Sequence, residues 1–172
     1  MAGMGIAVGV APDRFNRNGQ VTRAEFTALL IRTLGIAETK PAAASFKDMS
    51  PDASYFGAVE AARAAGLVGS YPDGSFRPQA SMTREEIAAM VVRALANAGK
   101  PLVVADPEAV LARFADKAAI GPWVREAGAQ AAEASIVRGR EGNRFAPKEN
   151  TTRAEAVVML RRLLVILGRI AG

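Results

Sequence analysis

One tetrapeptide pattern recurs three times in this chain and constrains its fold more than any other feature. Thr22-Arg23-Ala24-Glu25, Thr83-Arg84-Glu85-Glu86 and Thr152-Arg153-Ala154-Glu155 each open a run whose apolar residues return with helical period. Thr followed three residues later by Glu spells a capping box. The Thr hydroxyl accepts a backbone N–H of the first turn, and the Glu carboxylate accepts the N–H of the Thr. Thr22 with Glu25, Thr83 with Glu86 and Thr152 with Glu155 therefore predict three helix starts. The Arg between them stands in an unfavourable place, because it brings a cation to the helix end that already carries partial positive charge.

Aligning the three Thr-Arg pairs brings the rest of the chain into register, which is the signature of an internal repeat. An aromatic stands eight residues before each Arg (Phe15, Phe76, Phe145), and a second Arg stands nine after it (Arg32, Arg93, Arg162). A Gly lies further upstream at Gly9, Gly69 and Gly139, and Pro78 and Pro147 follow two of the aromatics where the first copy has Arg17. Beyond each Thr-Arg, the sets Phe26, Leu29, Leu30, Leu34, then Ile87, Met90, Val91, Leu95, then Ala156, Met159, Leu160, Leu163 form one buried stripe per helix. Gly35 and Gly99 punctuate the first two helices, and the third runs on to Gly168 with an apolar content that predicts burial on more than one side.

Two copies also have a front half. Phe46-Lys47-Asp48 and Phe114-Ala115-Asp116 are each followed by an Ala-rich helical stretch, Tyr55 to Ala65 and Trp123 to Ala134, and the turn Ser70-Tyr71-Pro72-Asp73-Gly74 closes the first of these. The aromatics Phe15, Phe76 and Phe145 read as lobe core. An all-α fold of three helix-loop-helix repeats follows, in a single domain spanning 1–172: repeat one over 1–39 without its front half, repeat two over 40–99 and repeat three over 107–172, with an added helical turn from Pro107 to Ala112. The absent front half predicts either a chain that begins in mid-repeat or a homo-oligomer in which another molecule supplies the helix.

Composition narrows the chemistry. With neither His nor Cys, the chain has no thiol nucleophile, imidazole base, Cys/His zinc site or disulfide, and catalysis would have to rest on carboxylates, Lys, Ser or Tyr; the acids that recur are explained by caps and turns, so neither an enzyme nor a cofactor or metal site is expected. Twenty-two Lys and Arg against 17 Asp and Glu give a net charge of +5, which favours an anionic partner. Nucleic acid is not expected, because the basic residues do not cluster on one helix and no reading motif is present. Leu163 to Ile170 is far shorter than the roughly 20 residues of a membrane span, and Met1 to Val10 is too short for an export signal, which would belong to a longer precursor.

The order of Phe-x-Asp, Ala-rich helix, Tyr71-Pro72-Asp73-Gly74-Ser75-Phe76-Arg77-Pro78 and Thr-Arg-x-Glu resembles the S-layer homology motif over nearly the whole chain. The resemblance implies three motifs about a pseudo-threefold axis, with the capped helices as a central three-helix bundle and grooves between outer lobes. It also implies non-covalent anchoring of surface proteins, at the bacterial cell wall or S-layer, to secondary cell wall polysaccharide with anionic, commonly pyruvylated, sugar termini. The family's groove arginine carries over to Arg23, Arg84 and Arg153. Repeat three departs from the pattern, with Glu141-Gly142-Asn143-Arg144 in place of the Asp-Gly turn and Ser135 where repeat two has Gly66. The site using Arg84 is therefore expected to be the most nearly intact.

A pyruvyl ketal puts a carboxylate on a sugar, and a helix N-terminus with an adjacent Arg suits a carboxylate. On that reading Thr83 and Glu86 serve the helix and Arg84 the ligand. The plainer alternative pairs the arginines with loop carboxylates such as Asp48, Asp73 or Asp116. Arg32, Arg93 and Arg162 are expected to pair locally. Tyr71 and Trp123 are the candidate platforms for a sugar ring, with Trp123 equally suited to the core. A helical-repeat module for protein–protein interaction is the competing function, since stacked helical units also make grooves.

Overall fold

The structure, a computed structural model, describes residues 18–171. Its regular elements are all helical: α1 (Arg23–Leu34), α2 (Phe56–Ala64), α3 (Arg84–Asn97), α4 (Pro107–Leu111), α5 (Arg125–Glu133) and α6 (Arg153–Ile166), with single 3-10 turns at Lys117–Ala119 and Pro122–Val124. Extended pairing among the described residues is limited to isolated bridges, so the fold is all-α. Gly9, Phe15 and Arg17 lie outside the described residues.

The capped helices α1, α3 and α6 each begin at the Arg of a Thr-Arg pair. Their apolar stripes are buried as periodicity predicts, from Phe26, Leu30 and Leu34 through Ile87, Val91 and Leu95 to Ala156, Leu160 and Leu163. α1 stops because Gly35 turns left-handed, at φ 70°, and its N–H returns to the carbonyls of Ile31 and Arg32. One expectation fails on α6. Its extra apolar residues are not buried on a second side: Val158 is 42% exposed, and Val165 and Ile166 are only half-buried. Composition counts apolar residues, whereas burial depends on whether a partner covers them.

The described residues fall into two compact units, one made of those up to Ser81 together with Thr152–Val157, the other of Met82–Thr151 together with those from Val158 onward. These units cut across the sequence repeats. In the first, α2 of repeat two packs on α1 of repeat one, and in the second, α5 of repeat three packs on α3 of repeat two. Small residues allow the approach, with Ala58 and Ala62 on α2 and Ala129 and Ala131 on α5 all buried. The added turn predicted from Pro107 forms α4, which packs on α5, and Arg125 clamps Glu108 with two hydrogen bonds of 2.8 and 2.7 Å.

Each unit closes a front lobe by the same device. Phe46 meets Phe76 at 5.1 Å between ring centroids in one, and Phe114 meets Phe145 at 5.2 Å in the other. Phe76 and Phe145 are fully buried, as expected for lobe core. The carboxylate of the Phe-x-Asp segment then accepts two consecutive backbone N–H groups, from Phe76 and Arg77 at Asp48 and from Phe145 and Ala146 at Asp116. Arg77 and Ala146 are left-handed, with φ of 60° and 54°, an uncommon conformation for residues with a Cβ that two charge-assisted bonds help to hold.

Candidate ligand-binding site

The three capping boxes form as the spacing predicts. Thr22, Thr83 and Thr152 donate their N–H groups to Glu25, Glu86 and Glu155 at 3.1, 2.9 and 3.0 Å, and the Thr hydroxyls accept the Glu N–H groups in return. Each helix start is also tied to a neighbouring repeat through its backbone. In the first unit Arg23 N–H donates to the Ala80 carbonyl and Arg153 N–H to that of Gly19, while in the second Arg84 N–H donates to Glu149.

The arginine side chains solve the electrostatic problem of their position in two different ways. Arg23 is 8% exposed, and its Nε donates to the Phe76 carbonyl at 2.9 Å. Arg84 is 2% exposed, and it donates Nε to the Phe145 carbonyl at 2.9 Å and Nη2 to the Arg138 carbonyl. Both cations thus lie against backbone oxygens of the following repeat, where C=O dipoles offset the charge. Arg153 instead grips the capping residue Glu25 with two bonds of 2.8 and 2.9 Å. The loop that Arg84 supports is that of repeat three. Tyr71, in the repeat-two loop, lies beside Arg23, whose guanidinium is 4.9 Å from the ring centre, and under Arg77 at 3.7 Å.

The loop carboxylates hold backbone and neighbouring loop side chains. Asp48 and Asp116 take the N–H pairs described above, while Asp73 accepts both donors of Ser75 and is approached by Lys47 and Arg77. Asp48 titrates below its ordinary value: slight burial pushes it up, but the N–H groups of Phe76 and Arg77 more than offset this. Of the second arginine series, Arg162 donates to the Ile136 carbonyl at 3.0 Å, 26 residues away in sequence, and Arg32 and Arg93 are exposed. The turn Glu141 to Arg144 is an alternative tight reversal, with Gly142 and Asn143 left-handed and Arg140 and Arg144 exchanging backbone bonds. Arg140 and Arg144 both clasp Glu149, whose carboxyl is held below its ordinary value by Arg144 first and Arg140 second.

In the second unit, one surface combines an aromatic platform with charge. Trp123 is 59% exposed, on the 3-10 turn leading into α5, so it is a surface residue and not core. Its indole lies over the backbone of Gly121, so close that a Cβ there would stand 2.7 Å from Nε1 and 2.9 Å from Cδ1. The Gly121 N–H donates to Glu85 Oε2 at 3.0 Å, and Glu85 Oε1 accepts from Lys148 Nζ. Glu85 is buried whereas the Lys148 side chain is 61% exposed. A flat apolar ring, an exposed ammonium and a fixed carboxylate are therefore contiguous, next in sequence to the buried Arg84. Sequence reasoning singled out Trp123 but missed Glu85, Gly121 and Lys148. The available signal was Glu85 itself, because it replaces the Ala24 and Ala154 of the other two copies. Among the described residues, no group of carboxylates could hold a metal ion, and no helix is long and apolar enough to cross a membrane.

The sequence profile of the S-layer homology domain matches residues 1–27, 45–88 and 113–157, one match in each repeat. An amylopullulanase of Thermoanaerobacterium thermosulfurigenes is 38% identical over 172 residues, which are 99% of this chain and 9% of that protein. The exoglucanase XynX of Acetivibrio thermocellus is 35% identical over 166 residues, 95% of this chain and 15% of its own length. A cellulosome-anchoring protein of the same species is 28% identical over 153 residues, covering 87% of this chain and 33% of the relative. The chain spans a third or less of each of these proteins. Three profile matches in the register of the three capped helices show that the chain belongs to the S-layer homology domain family.

Proposed function

We propose that this chain is a cell-surface anchoring module that binds an anionic, pyruvylated secondary cell wall polysaccharide without covalent attachment. The observation that carries the reading is the Trp123 surface. A sugar ring stacks its apolar face on the exposed indole, and the ketal carboxylate meets the remaining N–H donors of Lys148, which the buried Glu85 holds in place. Arg84 is a positioning residue here, holding the carbonyls of Phe145 and Arg138 in the lobe that bears this surface. Tyr71 with Arg23 is proposed as a second binding point, and Arg153, paired with Glu25 at the third helix start, as another.

The enzymatic names among the relatives belong to much longer proteins, and no reaction is assigned to this chain. Its place is the bacterial cell wall or S-layer, where an anchoring module would hold whatever is fused to it. The test is sedimentation of the chain with purified wall polysaccharide. Trp123→Ala and Lys148→Gln should each weaken binding by about tenfold, equivalent to roughly 1.4 kcal/mol, with unfolding midpoints unchanged. Unaltered binding by both variants would remove the site from this surface.

A further inference from the structure

The end of α5 and the loop that follows it line a concavity of about 540 Å³ in the second unit. That volume lies within the roughly 300–1,000 Å³ of small-molecule sites. Arg113, Arg138 and Arg140 line it with Ser135 and Asn143, and among the described residues no carboxylate does. Two of the three cations are held by carboxylates outside that lining. Arg113 donates Nη2 to Glu133 at 2.7 Å, and Arg140 donates to Glu149, which also accepts from Arg144. The guanidinium of Arg138, the hydroxyl of Ser135 and the amide of Asn143 have no hydrogen-bond partner among the described residues. The backbone of Arg138 is nevertheless fixed, because its carbonyl accepts from Arg84 Nη2. Its charge reaches a further cation: Arg162 is held below its ordinary pKa by burial first and by Arg138 second. Repeat two shares the lobe frame but not this chemistry. One residue before the first Phe it has Ser45 where repeat three has Arg113, and seven and five residues before the second Phe it has Gly69 and Tyr71 where repeat three has Arg138 and Arg140.

We propose that this concavity binds a phosphate ester of a sugar or polyol, at a site that shares no residue with the Trp123 surface. One planar guanidinium fork satisfies a carboxylate, whereas the oxygens of a phosphate point tetrahedrally and can meet several cations at once. Arg138 supplies an uncommitted fork. Arg113 spends two of its five N–H donors on Val110 and Glu133 and keeps the others. Arg140 adds a cation whose glutamate is already shared with Arg144. Ser135 and Asn143 then meet the hydroxyls of the sugar or polyol. Single-stranded nucleic acid is the poorer ligand, because Phe114, the aromatic residue in the lining, is 6% exposed and offers no face on which a base can stack.

The test is calorimetric titration of the full chain, at one ionic strength, with glucose 6-phosphate, with poly(glycerol phosphate) and with glucarate, a sugar acid of similar charge to the first. None of these carries a pyruvyl group, so the outcome is independent of the Trp123 reading. Glucose 6-phosphate should bind, and glucarate should bind at least about tenfold more weakly. Arg138→Gln should lose about tenfold in affinity for the phosphate ester, and Arg138→Lys, which keeps the charge without the fork, should recover only part of it. Tighter binding of poly(glycerol phosphate) per phosphate would support a wall polymer as the source of the ester, and the reverse a free sugar phosphate. Four results would overturn the proposal: no binding of either phosphate ester, equal affinity for glucarate and glucose 6-phosphate, unchanged affinity in Arg138→Gln, or tighter binding of oligothymidylate than of both esters. The last would assign the concavity to nucleic acid.

Discussion

The front lobes of repeats two and three are built on the same frame and finished differently. Both have a paired Phe, an Asp that takes two consecutive N–H groups, a left-handed residue after the second Phe, and an Arg from the preceding helix start on that Phe carbonyl. Only repeat three has an exposed Trp123 before its front helix, where repeat two has Ser54, and only its neighbouring helix start has Glu85, where repeat one has Ala24. The shared residues make the lobe, and the unshared ones make a surface with chemistry. Recurrence therefore marks the lobe scaffold here, and the proposed Trp123 surface is built from the departures.

The sharpest way to break this division is at the arginines, which recur and yet differ in setting. Arg84→Ala removes a charged donor from two carbonyls in a buried place and is expected to lower unfolding free energy by about 3 kcal/mol. Arg153→Ala loses a partly exposed ion pair with Glu25 and is expected to cost only about 1 kcal/mol. Urea unfolding of both variants checks this, and equal losses would mean that the carbonyl contacts are unimportant.

The aspartates should behave alike in the two lobes. Asp48→Ala and Asp116→Ala each strand two N–H groups, for about 2 kcal/mol apiece. Because Asp48 titrates below its ordinary range when folded, its contribution is complete above that range and is lost as pH falls through the depressed value. Asp48→Asn should therefore flatten the acid limb of the stability profile, and an unchanged limb would contradict the N–H clamp.

The turn after each front helix provides a smaller test. Gly66 and Ser135 are both left-handed, with φ of 77° and 60°, a conformation that penalises a side chain. Ser135→Gly should raise stability by about 1 kcal/mol and Gly66→Ser should lower it by about as much. Thermal melts showing the same sign for both exchanges would contradict the equivalence of the two positions. The smallest effect is expected at Gly121→Ala, where the new Cβ displaces an exposed indole. Stability should move by less than about 0.5 kcal/mol while the Trp123 fluorescence shifts. An unshifted spectrum would show that the indole does not lie over this backbone.

Much of the fold was legible in the sequence because capping and amphipathic periodicity are local. Thr22, Thr83 and Thr152 with their Glu partners marked three helix starts, and stripes such as Phe26, Leu30 and Leu34 marked which face is buried. Less of the site was legible, because its contacts are remote in sequence. The Arg of each pair looked free to serve a ligand, but Arg23 and Arg84 reach carbonyls 53 and 61 residues away. The site using Arg84 was expected to be the most nearly intact, yet Arg23 and Arg84 each support the loop of the next repeat. No local pattern reveals that shift by one repeat. The exposure of Val158 was illegible for a related reason, since an apolar residue on a helix does not announce whether a neighbour covers it.

On the proposed function, anchoring by this chain rests on recognition of the carboxylate of a wall sugar, and one measurement addresses that directly. Purified secondary cell wall polysaccharide is split, and pyruvate is removed from one half by mild acid. Binding of the chain to both halves is then compared by sedimentation or calorimetry at one ionic strength. Binding should be strong to the native polymer and lost from the stripped one. Equal binding to the two halves would contradict recognition of the ketal carboxylate.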